Sequence, residues 1–543
     1  MKQGRLLFST LLLATQYDAD SFVHAFNRQL FSASQRTGTS LRVVEKNPVM
    51  DFFSSLQTPM PVSNTNVIQR RVLGSQENLM LPRQYGPNPD VTFPQMNHVS
   101  CAILSSTPSE RVLRGAIDQV MQAHPLLQCI VEGDGEPEER IDFFQMVRKG
   151  EPNPCTFVSK PGTFSSKDVL KIVDVDGGDR SSLDDSWQAA FNRDLDDGSW
   201  CDVERTPLWK VEFHRLKGSR NGPCALLLSF NHAISDQSSA SKLTDQIVSV
   251  MAEIDQRGVV RNPPKKQEIP LSLEESVLGK ERTFSDVQVR DFSPSTLLYV
   301  AGKALEETKS PVILPDGFKQ GGGIFGALTT ISGKAAGGDN EQSIERQSVV
   351  AFRTLSREAT SALIEKCREN EVSVTNALSA ALTLTSTDFV GNGAKGGQDR
   401  NYKVLQSLDM RRFGAALDQG ESVGCLAGSM DLIHGPLPDG SGKQLRKNPS
   451  SKRLAEFWGL AQKGKMQTSK FIESDGPRNA VRVFDFAMTV SDMNNLVHLT
   501  AQSKDSQGRA YSAGFTNAGL YERFPAFRMS NEKAKKSVQV GCR

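Results

Sequence analysis

The sequence predicts an α/β protein of two domains, and three observations carry this prediction. The chain has 543 residues, whereas a single hydrophobic core rarely grows beyond about 250–300 residues. Apolar runs typical of strands alternate with helical patterns in both halves of the chain. Hydrophobic residues make up 38% and charged residues 23% of the chain, which is the balance of a folded, soluble protein.

Charge and cysteine usage exclude several classes of protein. The 64 basic and 62 acidic residues nearly cancel, so the chain has no bulk positive charge to hold nucleic acid or an anionic membrane. No apolar run reaches the roughly 20 residues that cross a bilayer. The eight cysteines are scattered without a CxxC pair, so we expect reduced thiols and no metal site.

The N-terminus has the composition of a targeting segment. Basic residues precede a short apolar run at 6–14, and small residues precede a junction between Ala25 and Phe26; this is typical of a signal peptide. Residues 26–49 then contain three arginines and a single acid, Glu45, as organelle transit peptides do. The combination resembles the bipartite plastid address of algae with complex plastids. We expect plastid import through the secretory route, with plain secretion or a chance apolar patch as alternatives.

Five elements are predicted for the first half. Residues 99–104 read as an apolar strand, and Ser109 caps a helix that ends before Pro125, because the residue before proline avoids the α region. A second helix covers 182–192. The continuous apolar run Cys224–Phe230 predicts a buried strand. The amphipathic helix that follows it has the apolar face Ala240, Leu243, Ile247, Val250 and Ile254.

The second half repeats the pattern. We expect a strand at 348–352, a helix capped by Ser356 that carries Ala359, Leu363 and Cys367, and a strongly apolar helix at 373–389. Further strands are predicted at 402–408, 481–490 and 510–516. The polar ending SNEKAKKSVQVGCR does not read as a core strand, so we expect either a truncated gene model or a shortened second domain.

These patterns set the predicted boundaries. They are a signal peptide at 1–25, a transit segment at 26–60, a first domain at 61–270, a crossover with a glycine-rich flexible insertion at 271–345, and a second domain at 346–543. The insertion contains GGGIFG, which fits GxGxxG. A dinucleotide site needs a buried strand before that motif, and no such strand is predicted here, so we interpret the segment as a linker.

The strongest chemical signal follows the apolar strand Cys224–Phe230. His232 comes two residues after the strand, and Asp236 precedes the amphipathic helix. A histidine at the end of a central strand can act as a general base, because it titrates near neutral pH. The same residues also fit a buried core histidine and an aspartate that caps the helix. The motif alone leaves both interpretations open.

The surroundings of the motif favour the catalytic interpretation. The stretch resembles the HxxxD motif of CoA- and carrier-dependent acyltransferases, a superfamily that includes chloramphenicol acetyltransferase, nonribosomal peptide condensation domains and the BAHD enzymes. The closest likeness is to the alcohol acetyltransferase and mycobacterial polyketide-associated acyltransferase branch. Further segments resemble the family in the same order, at 73–77, 113–127, 187–191, 206–210, 355–378, 407–412 and 515–519.

The resemblance implies two chloramphenicol-acetyltransferase-like domains, each an α/β sandwich, with the active-site tunnel between them. It also implies a role for each matching residue. His232 would take the proton of an acceptor that attacks an acyl thioester. Asp236 would point away from the substrate and pair with Arg411, with Arg412 in reserve. Asn517 lies in the family's late segment, which implies a contact to the substrate or to the acyl oxyanion.

We therefore expect an acyl-CoA-dependent O-acyltransferase with a small apolar alcohol as acceptor, no bound cofactor and a monomeric state. A carrier protein is the alternative donor. Two further alternatives stay open: a non-catalytic condensation-like binding protein, and a carrier-dependent enzyme that forms amides. Asn231 stands where many relatives have a histidine, and Gln237 where many have glycine. Both departures favour the non-catalytic alternative.

Overall fold

The computed structural model describes residues 68–84, 95–133, 155–218, 222–279, 292–307, 311, 348, 350–389, 399–414, 423–490, 510–519 and 541–542. Residues Ile68–Arg543 form one compact unit. The predicted signal peptide and transit segment, and the glycine-rich stretch around 319–340, lie outside the described residues. Within the described ranges, no helix is long and apolar enough to cross a membrane.

The first half contains seven described strands and six helices. The strands are β1 (Gln69–Val72), β2 (His98–Leu104), β3 (Cys129–Glu132), β4 (Thr156–Ser159), β5 (Leu170–Val175), β6 (Trp209–Leu216) and β7 (Cys224–Phe230). The helices are α1 (Ser75–Met80), α2 (Glu110–Ala123), α3 (Ser166–Val169), α4 (Arg180–Asp196), α5 (Gln237–Arg257) and α6 (Leu273–Leu278). Single 3-10 turns lie at Leu81–Gln84, Pro125–Gln128 and His232–Ile234.

The central strand β7 explains why its sequence is apolar without interruption. It pairs antiparallel with β2 on one side and β6 on the other, and β5 continues the sheet in parallel beyond β6. Leu226 and Leu228 pack on one face with residues of α2 and α5. Ala225 and Leu227 pack on the other face with residues of α4. Because both faces are covered, every residue of the strand is buried.

The second half has α7 (Pro294–Glu307), α8 (Arg357–Glu369), α9 (Val374–Ser386), β8 (Asp399–Asp409), a 3-10 turn (Met410–Arg412), β9 (Ala427–Pro438), α10 (Ser441–Lys447), α11 (Ser451–Glu473), α12 (Gly476–Val490) and β10 (Ala513–Phe515). Strand β8 pairs antiparallel with β9 and parallel with β10. A third sheet has the order β1-β4-β3 and is antiparallel.

The predicted helix starts are confirmed at atomic detail. Ser109 accepts a hydrogen bond from the Val112 amide, and Ser356 accepts one from the Ala359 amide. Each side chain thereby satisfies one of the free N–H groups of a first helical turn. The helix after Ser109 ends at Ala123, next to His124 and its proline neighbour, as predicted.

Two strand predictions were wrong. Residues 481–490 belong to α12, because Val481, Asp485 and Met488 are buried at spacings of four and three along one helix face. The described residues of 348–352 form no strand. Their backbone amides donate to side chains of α4 instead, Ser348 to Asp196 and Val350 to Asn192.

Two further segments differ from the expectations. The stretch that the composition marks as a loose crossover contains the helices α6 and α7. The polar ending contributes β11 (Gly541–Cys542), which pairs antiparallel with β2 in the first half. Backbone pairing needs no apolar side chains, so sequence hydropathy did not indicate this strand.

A buried carboxyl group lies where α1, α6 and α12 meet. The Glu274 side chain is only 2% exposed. Its Oε1 atom accepts a hydrogen bond of 2.8 Å from the Gln76 amide, and Oε2 has no partner among the described residues. Burial, followed by the charges of Asp485 and Glu77, raises the pKa of Glu274 to about 7.

We expect Glu274→Gln to stabilise the protein at pH 8 and to leave its stability nearly unchanged at pH 5. The folded state keeps the Glu274 proton up to pH 7, whereas the unfolded chain loses it near 4.5. The free energy of unfolding therefore falls as the pH rises through this window, by about 1–3 kcal/mol in wild type. Urea denaturation at pH 5 and at pH 8 measures the free energy of unfolding of both proteins. Glu275→Gln, at a less buried position of the same helix, is the control, and an equal effect of Glu274→Gln at both pH values would contradict the prediction.

Candidate active site

The turn after β7 is held by a buried asparagine. Asn231 donates from Nδ2 to the Leu81 carbonyl at 3.1 Å and to Gln84 Oε1 at 2.8 Å. Its Oδ1 atom accepts from the Ala233 amide at 2.9 Å. Asn231 therefore has a structural role: it fixes the 3-10 turn that carries His232.

We expect Asn231→Ala to lower the free energy of unfolding by about 1–3 kcal/mol, because Gln84 and the Leu81 carbonyl lose a buried donor. Chemical denaturation measures the loss. The matched control is Asn517→Ala, since Asn517 is exposed and such surface changes usually stay within about 0.5 kcal/mol. Equal losses in the two variants would show that the Asn231 contacts do not hold the turn.

His232 is half-buried at the start of this turn. Its Nδ1 atom lies 3.7 Å from the Cys425 sulfur. Burial lowers the pKa of His232, although hydrogen bonds to the backbone of His232 and Ser235 and the charge of Asp236 act in the opposite direction. The imidazole is therefore neutral at pH 7, which is the form that a general base requires.

Asp236 and Arg411 form a bidentate ion pair that joins the two halves. Arg411 Nη1 lies 2.8 Å from Asp236 Oδ2, and Nη2 lies 3.1 Å from Oδ1. The same carboxylate accepts from the amides of Ser239 at 2.8 Å and Leu426 at 2.9 Å. Both charged side chains are buried, at 4% and 6% exposure. Arg412, the reserve candidate, is exposed.

The four contacts occupy both oxygens of Asp236. The carboxylate therefore bonds to the first turn of α5 and to the second half, and it anchors the end of the loop that begins at His232. Burial raises the pKa of Asp236, but the charge and hydrogen bonds of Arg411 outweigh it, so the pKa lies below its usual value. The ion pair has the bidentate geometry that the resemblance implies.

Asn517 lies two residues after β10 and is exposed. Its Nδ2 atom donates to Thr375 Oγ1 at 2.9 Å, and its Oδ1 atom accepts from the Gly519 amide at 2.9 Å. The described contacts tie it to α9 and to its own turn, and they do not bring it to His232. Its role toward the substrate stays a prediction.

The structure adds a second histidine that the sequence did not indicate. The ring of His98, at the start of β2, lies with its centroid 5.5 Å from that of His232. The β2–β7 register places His98 opposite Phe230. Strand pairing between residues more than 130 positions apart carries no local sequence signal, and only the predicted strand 99–104 pointed toward this region.

Gln237, the second residue that departs from the motif described in the sequence analysis, is the first residue of α5. Its side chain is half-buried beside His98, and its Nε2 atom donates to Ser241 Oγ at 3.2 Å. Asp236 still caps the helix. The larger side chain therefore leaves the loop around His232 intact.

No family model and no curated protein match the chain, but solved structures do. A trichothecene 15-O-acetyltransferase from Fusarium sporotrichioides matches with a TM-score of 0.56 and 10% identity, over 87% of this chain and 85% of that chain. The first condensation domain of the calcium-dependent antibiotic synthetase matches with a TM-score of 0.51 and 13% identity, over 87% of this chain and 84% of that chain.

These matches confirm the predicted fold class. The chain has a mixed α/β fold similar to those of this acetyltransferase and this condensation domain. At such low identity the likeness shows the fold alone. The predicted branch within the superfamily stays a prediction.

Proposed function

We propose that this protein transfers an acyl group from a thioester to a hydroxyl acceptor, with His232 as the general base. One observation carries the proposal: a half-exposed, neutral histidine follows a buried central strand, and the Asp236–Arg411 pair fixes its loop between the two halves. That is a geometry in which a base is held rigidly and kept in its active protonation state.

The reaction needs only one proton carrier. His232 takes the proton of the hydroxyl while the oxygen attacks the thioester carbonyl. The carbon–sulfur bond then breaks, and the leaving thiolate takes the proton back from the imidazolium. His232 ends neutral, and no acyl group is attached to the protein. The contact between Nδ1 and Cys425 leaves Nε2 as the nitrogen for the acceptor.

The donor is proposed to be an acyl-CoA. One matching structure is named an acetyltransferase and the other a condensation domain, so CoA and carrier-bound thioesters are both chemically reasonable for this fold. We take acyl-CoA as the donor to be tested first, with a carrier-bound thioester as the alternative. The acceptor is proposed to be a small alcohol of mainly apolar character.

The pH dependence of the reaction follows from the environment of His232. Protonation removes the base, and the pKa of His232 lies below its ordinary value of 6.5. We expect kcat/KM to stay level down to pH 6.5 and to fall only at more acidic pH. A pH–rate profile measures this, with thermal unfolding at each pH as the control for loss of fold. An acidic limb above pH 6.5 would contradict the assignment.

The proposal is tested by incubating the protein with acetyl-CoA and a panel of alcohols and amines, and by following free thiol release. We expect release with alcohols and none above background in His232→Ala. Release with amines alone would favour the amide-forming alternative. If neither class gives release above the His232→Ala background, the non-catalytic binding alternative is favoured.

A further inference from the structure

A short segment of the second half, residues 424–427, lies against the first half beside the proposed base. Its backbone bonds to Ser239 Oγ at 2.9 and 3.0 Å, to Asp236 Oδ2 at 2.9 Å and to Gln76 Nε2 at 2.6 Å. These partners belong to α1 and to the start of α5. Cys425, in the middle of the segment, is thereby placed next to His232 in a fixed position.

The Cys425 sulfur lies between two nitrogen atoms of the first half. Its Sγ atom is 3.7 Å from His232 Nδ1 and 3.7 Å from Gln76 Nε2. The side chain is 1% exposed, and burial raises the pKa of Cys425 well above its ordinary value. A thiol that stays protonated and out of contact with solvent is a poor nucleophile. The sulfur is therefore available to His232 only as a hydrogen-bond partner.

The hydrogen in the contact between Cys425 and His232 belongs to the imidazole. Burial lowers the pKa of His232, and a hydrogen bond of the ring to the backbone of its own residue acts in the opposite direction, as a bond to a carbonyl acceptor does. Only Nδ1 can reach that carbonyl, because Nε2 is on the far side of the ring. Nδ1 therefore carries the hydrogen, and Sγ accepts from it. The Gln76 amide nitrogen can only donate, so the sulfur is an acceptor toward both nitrogen atoms.

We propose that Cys425 is a positioning residue for the proposed base: its sulfur accepts a hydrogen bond from His232 Nδ1 and keeps Nε2 directed toward the acceptor hydroxyl. The inference rests on the proposed function. When His232 takes the proton of the hydroxyl, the ring becomes an imidazolium, and a charged donor bonds more strongly to its acceptor than a neutral one. The sulfur therefore stabilises the form of His232 that the reaction creates, and a residue of the second half assists a base that belongs to the first half.

The test compares Cys425→Ala with Cys425→Ser, because the two variants have nearly the same volume and only serine keeps an acceptor atom. An NMR titration of protein labelled with ¹⁵N-histidine gives the pKa of His232, whose signals are those missing in His232→Ala. We expect Cys425→Ala to lower this pKa by about 0.3–0.7, because the charged ring loses an acceptor. Its kcat should fall about threefold to tenfold with KM unchanged. Cys425→Ser should keep the wild-type kcat to within about twofold, because its hydroxyl oxygen still accepts.

A merely structural role of Cys425 predicts the opposite sign. Burial is the main cause that lowers the pKa of His232, so a loosened site that admits water would raise this pKa toward 6.5. The described charged and titratable neighbours of His232 are His98, Asp236 and Arg83, and the variants leave all three unchanged. Cys425→Val fills the space of the sulfur without an acceptor, and it carries the same expectation if Cys425→Ala does not fold.

Cys367→Ala is the control, since it removes another buried sulfur of the second half and should change neither the pKa of His232 nor kcat. In Cys425→Ala, a pKa of His232 equal to or above that of wild type, or an unchanged kcat, would overturn the inference. Because the titration needs no turnover, the two proposals can fail separately. If the pKa falls as expected but no acceptor releases thiol in wild type, the proposed function fails and the hydrogen bond between Cys425 and the ring stands. If wild type releases thiol and Cys425→Ala changes neither the pKa nor kcat, the inference fails and the proposed function stands.

Discussion

Replacing His232 with alanine should reduce thiol release from acetyl-CoA to background while the protein stays folded. A positioned general base contributes about 10²–10⁴-fold to rate, and the oxygens of the neighbouring carboxylate, Asp236, are already bonded to Arg411, Ser239 and Leu426. The side chain is half-buried on a short turn, and the turn itself is fixed by Asn231. Its removal therefore leaves the main packing of the first half in place.

The measurement is initial thiol release by wild type and His232→Ala, with thermal unfolding of both proteins as the control for fold. We expect midpoints within a few degrees of each other. Turnover in His232→Ala equal to that of wild type would refute the assignment of His232 as the base. Loss of turnover together with a large fall in the midpoint would instead assign the histidine a structural role.

Replacing Asp236 with asparagine should lower the free energy of unfolding by about 3–5 kcal/mol and reduce activity at the same time. Arg411 would stay buried without the carboxylate at position 236 that balances its charge. Removing one partner of a buried ion pair has a cost of this size. The helix α5 would also lose part of its cap, because Asp236 accepts from the Ser239 amide. Urea denaturation and thiol release measure the two effects.

Asp409→Asn is the matched control. Asp409 also contacts Arg411, at 3.2 Å, but its side chain is 34% exposed, so its loss should cost about 1 kcal/mol or less. Equal losses of unfolding free energy in the two variants would contradict the prediction that Asp236 stabilises the fold more than Asp409 does. The pKa of Asp236 is lowered in the fold, so its contribution is present above the unfolded carboxyl pKa and is lost as the pH falls through the folded value.

The sequence predicted well those features that are set by residues close together along the chain. The apolar run Cys224–Phe230 predicted β7, and Ser109 and Ser356 predicted helix starts, because burial and capping leave local patterns. Arg411 was found by resemblance, and the structure separates it from the exposed Arg412 by burial and geometry.

The wrong predictions and the missed features have two causes. Some apolar spacings fit both a strand and a helix, and some strands pair with segments that are distant in the sequence. In residues 481–490 apolar residues fit both an alternating and a helical pattern, and the packing of α12 settles the choice. His98 and β11 take their positions from strands distant in sequence. Asn231 looked like a loss of catalytic chemistry, whereas its partners at Leu81 and Gln84 make it a structural residue.

The contacts of Asp236 also bear on how the molecule unfolds. Its carboxylate belongs to the first half, yet Arg411 and the Leu426 amide of the second half supply three of the four hydrogen bonds described for it and the positive charge that balances it. A first half separated from the second would expose this charge and release the start of α5. The two lobes are therefore thermodynamically dependent on each other, and the chain should melt as one cooperative unit.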